Sequence, residues 1–351
     1  MKRTLVYEVK RNLLPLAVFC MIAAAVAVVS AFTAQLSYGF GTRELADSCV
    51  GVFSAILCVL CAVVPVMQFS YRMKQRSADL WYSLPIGRKK LALVRVLGGL
   101  ILVFLPYTLA YWLGVGCVAM QEGRFAFVHY LSLWAASLPL GVLLFGMNAF
   151  VFTRGNTAGD GIVFLILWAC LLPLAVLVCF SGLRFTLGWD PEIPEYLNYY
   201  SGVEVAAFFF PYSPVGYLSQ IFDALICGRA PGEFALFSLW FILPFAVVGG
   251  VGAYAGLFLC ADRDKAENAG QISSSWMGYR VLIPAYIVLL LGAVGVAFGG
   301  EVVMGVLVAV VGAALYFAYR RSFRLKKEDI IIYIAAVLVG AALALILFYC
   351  V

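Results

Sequence analysis

The chain has 351 residues, of which 64% are hydrophobic and only 12% charged, and its mean hydropathy is +1.01. Soluble domains carry about 25% charged residues, so 18 acids and 24 bases cannot coat two or three such domains, and lipid must form the coat. The net charge of +6 is too small an excess to argue for a nucleic-acid partner, and nine of the ten cysteines lie in or at the end of apolar runs, as small hydrophobes rather than a disulfide framework.

In chain order, the first element is MKRTLVYEVKRN, residues 1–12, a cytoplasmic interfacial helix. Leu5 and Val9 form its apolar face, and Lys2, Arg3, Lys10 and Arg11 meet acidic headgroups. Nine uncharged segments follow, each long enough to cross about 30 Å of hydrocarbon as a helix. They run from 13 to 34, 49 to 70, 96 to 120, 130 to 152, 161 to 182, 234 to 260, 281 to 299, 302 to 319 and 330 to 351. The expected fold is an all-α polytopic membrane protein of about nine spans. The first run exceeds the usual h-region of a signal peptide, which favours a retained span over cleavage near Ala31.

Lys and Arg placement fixes the orientation, because cytoplasmic flanks hold the positive excess. With the N-terminus inside, the inner segments hold 20 of the 24 bases and the outer ones only Arg43, Arg124, Arg184 and Arg229. The C-terminus then lies outside. The first seven spans each contain one proline, as suits a bundle of kinked helices. Gly252-x-x-x-Gly256 and Gly295-x-x-x-Gly299 have the spacing of close helix contacts.

Polar residues concentrate in a few connections. The segment 71–95 contains SADLWYSLPIGRKK, in which Ser77 is expected to cap a short helix and Pro85 with Gly87 to force a turn before a helix starts at Arg88. Leu80, Trp81, Tyr82, Leu84 and Ile86 form an apolar and aromatic knob at the cytoplasm, and flanking charges favour a protein partner over an aromatic belt. The outer segment 183–233, with six acids, two bases and the patch Phe208 to Tyr212, fits a small cap or interfacial helices.

The missing motifs narrow the function. There is no P-loop, and His129 is the only histidine, which removes H-E-x-x-H chemistry and most histidine-based triads; no metal site is read. Cys58-x-x-Cys61 sits mid-span without a basic neighbour to activate a thiol. The spans lack ionisable groups, which weakens an ion-gradient carrier.

YEVKRN before the first span, SADLWYSLPIGRKKLALVRVLGG after the second, RGNTAGD after the fourth, FFFPYSPVGYL before the sixth and ADRDKAENAG after it together resemble the permease subunits of type-2 ATP-binding-cassette (ABC) transporters. The likeness covers roughly residues 1 to 280 and is nearest to a group of bacterial permeases, mostly Gram-positive, with a D-x-x-Y-S-L-P-x-x-R-like motif. Here that motif is Asp79, Tyr82, Ser83, Leu84, Pro85 and Arg88. The resemblance implies a six-span core over 13–260, with residues 261–351 adding a cytoplasmic loop and three further spans. It implies a multi-pass protein of the bacterial plasma membrane that exports an amphipathic peptide, lipid or drug and is not itself an enzyme. Asp79 to Arg88 would form the coupling helix on a separate cytoplasmic ATPase subunit, which holds ATP and Mg, and Glu267 would add a secondary contact. A second copy or related permease would complete the assembly. The rivals are an ion-gradient-driven carrier and a non-transporting scaffold or immunity protein.

Overall fold

The computed structural model describes the backbone of residues 2–38, 43–83, 86–120, 127–186, 216–218, 221, 233–262, 267, 269–271, 273, 275–297, 302–320 and 326–350. Among these, all extended regular structure is helical: α1 Lys2–Arg11, α2 Leu13–Tyr38, α3 Arg43–Phe69, a 3-10 turn Ser70–Met73, α4 Gln75–Tyr82, α5 Arg88–Ala119, α6 Phe127–Phe152, α7 Ala158–Thr186, α8 Glu233–Ala261, α9 Tyr279–Ala297, α10 Val302–Arg320 and α11 Lys327–Cys350. Seven of them are long and apolar enough to cross a membrane, and two shorter apolar helices, Tyr279–Gly295 and Val302–Phe317, accompany them. That composition is consistent with a polytopic membrane protein. Most of the outer segment 183–233, with the patch Phe208 to Tyr212, lies outside the described residues.

The chain forms two compact units, Met1–Thr153 with Tyr212–Ala269, and Arg154–Pro211 with Gly270–Val351. The fifth long helix, α7, thus belongs with the three C-terminal helices and not with the helices before it. In the first unit α2 lies along α5, and its small residues Ala23, Ala27 and Ala31 are buried, spaced by four so that they share one helix face. Behind it α3, α5 and α6 close around Phe53, Leu57, Val103, Tyr107, Tyr111 and Phe145, with α8 against α6. Polar side chains also tie the helices: Tyr111 Oη donates to the Tyr130 carbonyl at 2.7 Å, Asn148 Nδ2 to that of Cys61 at 3.0 Å and Tyr254 Oη to that of Val142 at 2.8 Å.

In the second unit α9 crosses α11 so closely that a Cβ on Gly295 would stand 2.5 Å from the Ala344 carbonyl oxygen. In α8 only one glycine of Gly252-x-x-x-Gly256 is at a contact: a Cβ on Gly256 would meet Phe150 at 2.7 Å, while Gly252 faces open space. The turn after α6 and the stretch before α9 are stitched together. Gly270 N donates to the Asn156 carbonyl at 2.9 Å, and Ser273 Oγ to that of Arg154 at 2.8 Å. Gly270 takes a φ of +83°, which side chains rarely adopt, so the contact depends on glycine. At the other end of this unit's basic connection, Arg320 grips Asp329 with two bonds of 2.7 Å.

Candidate functional site

The short helix α4 follows the 3-10 turn after α3 and precedes the basic start of α5. Lys74 is extended (φ −110°, ψ 114°), so its carbonyl already accepts from Ser77 N and Ala78 N, and the helix starts at Gln75. Ser77 is therefore inside α4, and the expected side-chain cap is not there: the start carries no side-chain capping bond. Ser83 closes the far end, its N–H donating to the Asp79 carbonyl at 3.0 Å and its Oγ to that of Leu80 at 2.9 Å.

α5 has 32 residues, about 48 Å at 1.5 Å per residue, so it outruns a 30 Å hydrocarbon layer and can begin well outside it. Two turns along, Arg95 is 1% exposed and at the centre of a side-chain cluster. Its Nη1 meets Glu8 Oε2 of α1 at 3.0 Å and Gln68 Oε1 of α3 at 3.4 Å. The guanidinium carbon lies 4.2 Å from the ring centroid of Trp81 in α4 and 4.6 Å from that of Tyr71. Glu8 is also 1% exposed, and Arg11 reaches it at 3.5 Å while lying 5.2 Å from the Trp81 ring. One buried cation thus joins α1, α3, α4 and α5. Paired charges and aromatic faces are what allow a guanidinium to be buried at all.

Of the knob expected to face water, only part does. Leu80 is 67% exposed and Asp79 is exposed beside it, whereas Trp81 and Tyr82 are half-buried. The Trp81 ring is turned to Arg95 and Tyr71, and Arg88 lies 4.8 Å over Tyr82. Ser83 and Arg88 are exposed and Ile86 half-buried; Leu84 and Pro85 lie outside the described residues. Glu267 is exposed beyond α8, but it is Asp262 that reaches this region, accepting from Lys89 Nζ at 2.8 Å and, through its carbonyl, from Arg88 Nη1 at 3.2 Å.

In α1, Leu5 and Val9 are half-buried, Lys10 and Arg11 exposed, and the side chains of Lys2 and Arg3 outside the described residues. The deepest of the described side chains in that helix is the acid, Glu8, and the sequence motifs single out neither it nor Arg95, Gln68 and Asp262. A signal exists: Glu8 is the only acid in the first twelve residues and sits between Leu5 and Val9 at helical spacing, where a lone charge demands a partner. Among the described residues no three His, Cys, Asp or Glu side chains gather to hold a metal. No family model, no curated protein and no solved structure matches the chain.

Proposed function

We propose that the chain is the membrane-spanning permease subunit of a type-2 ABC transporter, set in a bacterial plasma membrane with its basic ends in the cytoplasm. It moves an amphipathic solute outward with power supplied by a separate ATPase subunit that binds ATP and Mg, and it pairs with a second copy or a related permease. The observation that supports this reading is the two-sided character of α4. Asp79 and Leu80 stand free on its outer face, while Trp81 on the other face is held against Arg95 within α5 and Arg11 of α1. A push on the outer face has a stiff route to α5, because the clamp lies inside the helix and not in a loop.

The test is copurification of the full chain with a candidate P-loop ATPase, such as one encoded beside it, in wild-type and L80D forms. Leu80 is two-thirds exposed, so L80D leaves the chain folded and removes the association and the stimulated ATP hydrolysis. Unchanged association and stimulation would refute the coupling role. Concentrative transport by the purified chain in liposomes under an ion gradient, with no ATPase present, would favour the gradient-driven carrier instead.

A further inference from the structure

We infer that the cleft between α7, α9 and α10 is a binding site for a hydrophobic organic monocation, with the Asp160 carboxylate as its counter-ion. The cleft has a volume of about 490 Å³, within the range of small-ligand pockets, and lies wholly inside the second unit. Its walls are apolar residues such as Leu167, Leu282 and Ile283, together with Tyr279, Tyr286 and Tyr319. Among the described residues Asp160 is the one charged residue in that lining.

The hydroxyls of two of these tyrosines are already used. Tyr279 Oη donates to Asp160 Oδ1 at 2.9 Å, and Tyr286 Oη donates to the Leu167 carbonyl at 2.6 Å. These two side chains therefore offer a ligand ring surface more than hydroxyl donors. Asp160 is fixed in place: its N–H donates to Thr157 Oγ1 at 3.0 Å in the first turn of α7, and Tyr279 holds one carboxylate oxygen. The nearby cation Arg320 is matched by the two-bond grip of Asp329, so it does not cancel Asp160. An apolar, aromatic-lined volume with one fixed negative charge complements a single positive charge on an apolar body, through charge pairing and cation–π contact. Val163, Leu290 and Leu315, at 38, 38 and 46% exposure, form an open side of the cleft on the apolar surface, which gives such a ligand a way in from the bilayer.

This inference needs no ATPase and stands or falls apart from the transport reading. The test uses the full chain in phosphatidylcholine nanodiscs, with empty nanodiscs subtracted, and two ions of matched shape and opposite charge: tetraphenylphosphonium and tetraphenylborate. Wild type binds the phosphonium saturably, one per chain, and the borate at least about tenfold more weakly, as one partly screened charge pair demands. D160N keeps an acceptor for Tyr279 and lowers phosphonium affinity by at least about tenfold without lowering borate affinity. V163W, at an exposed wall residue, fills the cleft and reduces phosphonium binding with Asp160 intact. Absence of saturable phosphonium binding, equal binding of the two ions, or wild-type affinity in both folded variants would overturn the assignment.

Discussion

Replacing Glu8 by glutamine keeps the shape of the side chain and removes its charge, which isolates the role of the buried pair. In wild type the carboxylate is 3.0 Å from Arg95 Nη1, and both side chains are 1% exposed. After E8Q the Arg95 cation retains Gln68 and two aromatic faces but no anion at contact distance among the described residues. Removing one partner of a buried ion pair costs about 3–5 kcal/mol, because the survivor stays desolvated and uncompensated. Here the relief available is for α1 to lift away and let water reach Arg95. Opening of α1 should therefore become about 150- to 4,000-fold more frequent, at 1.4 kcal/mol per factor of ten, up to the limit set by full exposure. Hydrogen exchange of residues 2–11 in detergent or nanodiscs reads this directly, with α6 as an internal control. R95M produces a similar loss, since Glu8 is then left with Arg11 alone at 3.5 Å. The double variant E8Q/R95M removes both charges and recovers at least about 2 kcal/mol of the summed losses. Unchanged exchange of α1 in E8Q, or strictly additive losses in the double variant, would refute the clamp.

Further outcomes follow from single contacts. G295A destabilises the second unit by about 1–3 kcal/mol, since its new methyl meets the Ala344 backbone, whereas G252A in open space costs nothing and gains up to about 1 kcal/mol of helix propensity; thermal unfolding of the two variants in one detergent compares them. D329N weakens the two-bond grip on Arg320 and costs about 1–3 kcal/mol, and R320K does not replace it, because an ammonium cannot make both bonds in the planar geometry; denaturant titration ranks the variants. D262N lowers stability by less than about 1 kcal/mol, as Lys89 and Asp262 are both more than half exposed. W81F, by contrast, loosens α4 from Arg95 and raises exchange over residues 75–82 while leaving Leu80 as exposed as before.

The long helices were legible because their signal is one of composition: uncharged runs of about 20 residues admit few structures in lipid. The start of α5 at Arg88 was legible too, from the bend containing Gly87. The placement of Trp81 was not. Its neighbours in sequence are the apolar and aromatic Leu80 and Tyr82, but its neighbours in space are Arg95, fourteen residues on, and Arg11, seventy residues back. Tertiary pairing of a cation with aromatic rings leaves no local pattern. The same holds for Glu8, hidden in a basic segment whose sum of charges suggested only a lipid anchor. The grouping of α7 with the C-terminal helices was likewise unreadable, since it depends on which apolar faces meet, and apolar faces in spans look alike. Glu267 was singled out from a motif, yet Asp262, nearer the end of α8, is the residue placed to reach Lys89.

The most direct measurement of the proposed coupling role is photo-crosslinking from position 80 in native membranes that contain the chain and the candidate ATPase. With a photoreactive side chain in place of Leu80, the expected result is a covalent adduct to the candidate ATPase whose yield changes when ATP is added, and none from a probe at Leu338, exposed on α11. An ATPase that copurifies with the chain but gives no adduct from position 80, or labelling of that position by an impermeant reagent applied outside the cell, would contradict it.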